Sequence, residues 1–158
     1  MDVQIGIGEM KVSRKKEDRL ITYSLGSCLG LTIYDPAVKV GGMIHCQLPL
    51  SKMNAAKAME NPSMFVDTGI PALFEDAYRL GAQKKRIIVK IAGCTTSGAE
   101  DKIFKIGERN YIMARKLLWK NDVFISAEDI GGNLSRTMYL DIKTGMVLIK
   151  SAGHMVEL

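Results

Sequence analysis

The sequence predicts an α+β sandwich, with mixed or antiparallel β-sheets flanked by two main helices. Three observations lead there. Short apolar or alternating segments recur at 19–25, 28–34, 39–48, 86–92, 122–127, 135–142 and 146–150, each of strand length. Two longer segments, 64–80 and 106–120, carry helical spacing instead. No repeat, low-complexity tract or Pro/Ser-rich linker divides the chain, so its 158 residues are read as one domain, 1–158, large enough to bury a core.

Taken in order, residues 3–12 form a strand broken by Gly6 and Gly8. RLITYSL (19–25) alternates as a strand. CLGLTIY (28–34) and KVGGMIHCQL (39–48) make a hairpin joined by Asp35-Pro36-Ala37-Val38. The polar stretch 51–62 reads as a mobile loop. Gly81 stops the helix over 64–80, while Gly69 and Pro71 require it to start near Pro71 or to kink there. RIIVKIA (86–92) is a buried strand. The helix over 106–120 turns Tyr111, Met113 or Ala114, Leu117 and Leu118 toward the core. The last two predicted strands meet at Lys143-Thr144-Gly145, where glycine permits a tight turn.

Composition narrows the function. Hydrophobic residues make up 47% and charged residues 25%, which fits a globular protein. No apolar run is long enough for a membrane span, and the early Asp2 argues against a secretory signal, so a cytoplasmic protein without membrane insertion is expected. The net charge of +5 favours acidic partners, but the basic clusters lack interleaved aromatics, which argues against nucleic acid. Cys28, Cys46 and Cys94 are too sparse for a disulfide framework. With two histidines and no CxxC, there is no zinc module, and neither a metal nor a cofactor is called for. No phosphate-binding loop or glycosidase-like pair of acids is present.

The chemistry concentrates in the hairpin. If its strands pair around Asp35–Val38, Tyr34 faces Lys39 and the same register sets Cys28 opposite His45, with Cβ atoms about 4.5–5.5 Å apart. A bulge at Gly30 or Gly41-Gly42 would shift that register. A lone cysteine in an apolar strand is ordinarily an inert packing residue, and a lone histidine a satisfied structural one. Together they make a nucleophile and its base, expected as a thiolate–imidazolium pair. Thr22, on the preceding strand, can fix the imidazole tautomer through its hydroxyl or its carbonyl. Gly26 and Ser27 form a turn able to aim backbone N–H groups at an oxyanion. Cys46 alternates to the other face as packing. Cys94, in the loop GCTTSG with His154 as its remaining base, is the weaker rival. The turn-rich stretch AEDIGGN (127–133) reads as a capped strand end.

LGSC (25–28), HCQLP (45–49), KIAG (90–93), KIGERN (105–110) and AEDIGGN (127–133), followed by Arg136 and Thr144-Gly145, together resemble the chemoreceptor glutamine deamidases, the CheD family. The resemblance spans Gly6 to about Lys150. It implies a protein-glutamine glutaminase that converts glutamine side chains of methyl-accepting chemotaxis receptors to glutamate, with release of ammonia. It also implies a Cys-His-Thr site at Cys28, His45 and Thr22, a fold similar to that of deamidating bacterial toxins, and a CheC-type phosphatase as partner. A non-catalytic adaptor that binds CheC and receptors is the alternative, and a peptidase or transglutaminase-like enzyme a third reading. The chain departs from the family pattern at Ser24 and Cys94, where glycines are usual, and at Ile130 and Leu134, where threonine and arginine are. These departures bear on the shape of the turns around the site.

Overall fold

A computed structural model describes residues 1–96 and 103–158, so residues 97 and 98 of the GCTTSG loop lie outside the described residues. The strands are β1 (Asp2–Gln4), β2 (Met10–Ser13), β3 (Arg19–Leu25), β4 (Leu29–Asp35), β5 (Val40–Cys46), β6 (Ile88–Gly93), β7 (Ile125–Ile130), β8 (Arg136–Asp141), β9 (Val147–Ser151) and β10 (His154–Glu157). The helices are α1 (Ala55–Glu60), α2 (Val66–Arg79) and α3 (Ile106–Lys120). Two five-stranded sheets form, ordered β1-β3-β8-β9-β10 and β2-β5-β4-β6-β7. Each is antiparallel except at one edge, where β1 runs parallel to β3 and β7 parallel to β6. The mixed α+β sandwich read from the sequence is the fold observed.

The second sheet is the central layer. Every residue of β4 and β5 is buried, because these strands are covered on both faces. On one face Leu29, Leu31, Ile33, Ile44 and Cys46 pack against Ile70, Leu73 and Phe74 of α2 and Ala114 and Leu118 of α3. On the other, Tyr34 and Met43 meet Leu20, Met138, Leu140 and Ile149 of the first sheet. The outer sheet shows the matching alternation, with Met138 and Leu140 turned inward. Both main helices therefore lie on one side, and the space between the sheets is a second, helix-free core.

Several expected boundaries shift for identifiable reasons. The strand over 3–12 is two strands in different sheets, since Gly8 at φ +76° turns the chain out of one sheet and into the other. The polar stretch 51–62 contains α1, whose N-terminus is capped by the Asn54 side chain accepting from the Lys57 N–H. Helix α2 runs through Pro71, and it packs closely enough on β5 that a Cβ on Gly69 would lie 2.7 Å from Ile44 Cδ1. Strand β7 takes in Ala127 to Ile130, so AEDIGGN begins inside a strand and turns only at Gly131 and Gly132, both at positive φ. Strand β10 was not foreseen; all four of its residues are exposed, and it lacks the apolar pattern of a buried strand.

The hairpin register differs by two residues from the expected one. Asp35 pairs with Val40, so the loop is Pro36–Lys39, closed by Lys39 at φ +53°. Asp35 explains the choice. Its fully buried carboxylate accepts from the Ala37 N–H at 3.0 Å, the Gln83 N–H at 2.9 Å and the Arg86 guanidinium at 2.9 Å. Burial works against its charge, yet the Arg86 guanidinium and the two N–H groups hold the carboxyl below the usual range. Replacing Asp35 by Ala strands these donors, and a loss of about 3–5 kcal/mol in urea unfolding is expected. A loss under about 1 kcal/mol would show that the hairpin turn is set elsewhere.

Candidate active site

In the observed register His45 stands opposite Gly30, and Leu29 opposite Cys46. Cys28 lies just ahead of β4, one residue pair beyond Leu29. Direct opposition of Cys28 and His45 is therefore corrected to a diagonal relation. The shift is by an even number of residues, so it preserves the face. Cys28 packs against the core between the sheets, and the neighbour of His45, Met43 two residues back, does the same. Cys46 turns to the helix side. Cys94 is buried in the helix-side core, whereas His154 is exposed on the edge strand β10, so the rival pair is not brought together.

Thr22 comes from the opposing sheet. Its Oγ1 lies 2.7 Å from His45 Nδ1 and 2.7 Å from the Ile5 carbonyl oxygen, and both side chains are fully buried. A carbonyl only accepts, so the single hydroxyl proton goes to Ile5. Thr22 Oγ1 must then accept from His45 Nδ1–H. That choice leaves the lone pair on Nε2, and Nε2 has no partner among the described residues. The imidazole is thus a neutral base with a fixed tautomer and one unengaged nitrogen, an arrangement that ordinarily costs stability.

Burial sets the charge state of both candidates. It pushes the Cys28 thiol up to about 11 and the His45 imidazole down to about 4. Both shifts favour neutral thiol beside neutral imidazole over the expected thiolate–imidazolium pair, because neither ion is solvated there. Cys28 remains partly exposed at the end of the sheet.

The turn before Cys28 is pinned through its carbonyls. The Thr95 N–H donates to the Gly26 carbonyl at 2.9 Å, the Asn110 side-chain amide to the Ser27 carbonyl at 2.9 Å, and the Cys94 N–H to the Cys28 carbonyl at 2.8 Å. The Gly26 N–H is engaged by the Ser24 carbonyl at 3.0 Å, which removes it from the oxyanion donors expected. The N–H groups of Ser27 and Cys28 have no acceptor among the described residues. Gly93 is held close, since a Cβ there would lie 2.4 Å from the Cys28 oxygen. Arg136 braces the turn from below, donating to the carbonyls of Gly93 at 3.3 Å and Gly131 at 2.9 Å. Ser24 and Cys94, the two departures from glycine, sit at φ +58° and +53°. Both adopt the left-handed backbone that glycine adopts freely, at some cost in strain.

Asn110 escaped the sequence reading. It is fully buried on the stripe Gly107, Asn110, Ala114 and Leu118 of α3. A polar residue at a core position of a helix was the available signal.

A family model described as CheD chemotactic sensory transduction matches residues 47–151. A Syntrophus aciditrophicus protein named probable chemoreceptor glutamine deamidase CheD 1 is 51% identical over 152 residues, covering 96% of this chain and 95% of its own. The chain belongs to the CheD family. A Solibacter usitatus CheD protein of the same description is 42% identical, covering 98% of this chain and 91% of its own. One from Thermococcus kodakarensis is 37% identical, with 99% and 98% covered. The CheD model match starts after Thr22, Cys28 and His45, whereas these relatives align along nearly the whole chain.

A buried base with a lowered pKa binds fewer protons folded than unfolded, so its contribution is full above pH 6.5 and lost as the pH falls toward 4. Urea unfolding of wild type and His45→Gln at pH 7.5 and 4.5 should show wild type losing roughly 2–3 kcal/mol more than the variant. Equal losses would mean that His45 is not held neutral.

Proposed function

We propose that this CheD-family chain hydrolyses glutamine side chains of methyl-accepting chemotaxis receptors to glutamate, with Cys28 as nucleophile, His45 as base and Thr22 as the group that orients the base. One observation carries the reading: the Thr22–His45 contact, which leaves Nε2 as an unprotonated, unengaged base on the face of the sheet that Cys28 shares. The names of the CheD relatives support the substrate class.

The resting pair is neutral, so proton transfer accompanies attack. Cys28 Sγ bonds to the carboxamide carbon while its proton passes to His45 Nε2. The oxyanion is held by backbone N–H groups of the Ser27-Cys28 turn. The imidazolium, stabilised by its Nδ1–H bond to Thr22, gives its proton to the amide nitrogen. The C–N bond breaks, ammonia leaves and a thioester remains. Water then attacks the thioester as His45 takes its proton, and glutamate and the free thiol are released. No helix among the described residues is long and apolar enough to cross a membrane, which suits an enzyme meeting receptors from the cytoplasm. The new carboxylate adds negative charge to a receptor helix and so biases its signalling state. A CheC-type phosphatase is the partner we propose on the strength of the resemblance.

Mass spectrometry of purified receptor cytoplasmic fragments checks the assignment. Cys28→Ala should abolish the gain of one unit of mass per glutamine and the release of ammonia. Thr22→Val should lower kcat on the order of 10²-fold, with Thr22→Ser retaining most of it. Full conversion by Cys28→Ala would refute the nucleophile; full activity in Thr22→Val would refute the role given to the hydroxyl.

A further inference from the structure

All three carbonyls of Gly26, Ser27 and Cys28 are engaged, two of them by backbone N–H groups and the middle one by a side chain, that of Asn110. No peptide bond of the described residues is cis. In a trans peptide the carbonyl and the following N–H point opposite ways. Holding the Ser27 carbonyl toward α3 therefore turns the Cys28 N–H away from it. The Cys28 N–H therefore points away from Asn110, and it has no acceptor among the described residues.

Asn110 is built into this place. A Cβ on Gly107 would fall 1.9 Å from the Thr95 carbonyl oxygen, so only glycine lets the first turn of α3 settle on the chain following β6. One turn later, Asn110 Nδ2 reaches the Ser27 carbonyl at 2.9 Å and the Gln47 carbonyl at 3.2 Å. It thereby ties the turn before Cys28 to the chain leaving β5, the strand of His45. Both amide hydrogens are engaged, and flipping the amide would set its oxygen against two carbonyls. Its Oδ1 is buried without a partner among the described residues. An apolar residue would fill a core position without that penalty, so the position favours what Nδ2 does.

We propose that Asn110 is a positioning residue for amide hydrolysis, fixing the Ser27–Cys28 peptide so that the Cys28 N–H meets the developing oxyanion. This rests on the reading of Cys28 as nucleophile. Asn110 does not touch the thiol's proton path, so it governs the oxyanion and leaves the reactivity of the sulfur alone. Alkylation by iodoacetamide separates the two, because it consumes a thiolate and forms no oxyanion.

The test uses the full chain and receptor cytoplasmic fragments. Asn110→Ala and the near-isosteric Asn110→Leu, each confirmed to unfold cooperatively, should lower kcat about 10²-fold and leave KM within about twofold. The rate and pH dependence of Cys28 alkylation should match wild type. Unchanged kcat overturns the proposal, and so does a parallel fall in kcat and alkylation, which would mark a merely structural role. If neither variant folds, the wild type decides. A receptor peptide carrying glutamate γ-semialdehyde in place of glutamine adds the Cys28 thiol across its aldehyde, the sulfur bonding to carbon and the proton going to oxygen. The Cys28 amide proton should then shift downfield in NMR, and an unmoved resonance overturns the proposal. Cys28→Ala runs alongside. Activity in that variant would sink the deamidase site itself, whereas an inactive Cys28→Ala beside a wild-type-like Asn110 variant sinks only the role of Asn110.

Discussion

The site we propose depends on one hydrogen bond that crosses the interior between two sheets. His45 is on the central sheet and Thr22 on the outer one, and both are removed from water. Such a bond contributes only about 1 kcal/mol net to stability. Its consequence is chemical: the Ile5 carbonyl claims the hydroxyl proton, the hydroxyl oxygen claims Nδ1–H, and the second nitrogen is left with its lone pair and no partner among the described residues. The stack of sheets positions the base that we propose.

The proposed nucleophile is placed by different means. Cys28 sits where β4 begins, on a turn whose carbonyls are drawn toward the chain after β6 and toward α3. Gly93 and Gly107 allow these close approaches, and Arg136 ties the ends of β6, β7 and β8 beneath them. The N–H groups of Ser27 and Cys28 are left without an acceptor among the described residues. The base and nucleophile that we propose are thus held by separate parts of the fold, on one face of the central sheet. The same burial that fixes them favours their neutral forms, so the mechanism we propose moves the proton at the moment of attack.

Much of this was legible in the sequence, for physical reasons. Strands β3 to β5 and helix α3 carry strong periodicity and emerged nearly at their true bounds. The hairpin register was read two residues off because its turn is chosen by Asp35, whose partners Gln83 and Arg86 lie some fifty residues away. No local rule sees such a contact. The face shared by Cys28 and His45 survived that error because side chains alternate with period two. Thr22 was nameable, but only the structure shows that its hydroxyl meets the ring, and only the contact with Ile5 determines which way the proton points. Asn110 was hidden because helical periodicity asks which residues are apolar, and a buried amide is read as a gap in the stripe. Ser24 and Cys94 read as departures from glycine; both have the left-handed backbone that glycine adopts most freely.

The central claim is a statement about one proton, and ¹⁵N NMR of the His45 ring addresses it directly. At neutral pH the free enzyme should show Nδ1 protonated and Nε2 carrying the lone pair, persisting as the pH is lowered until the ring titrates near 4. A ring protonated on Nε2, or an imidazolium already formed at pH 7, would contradict the account.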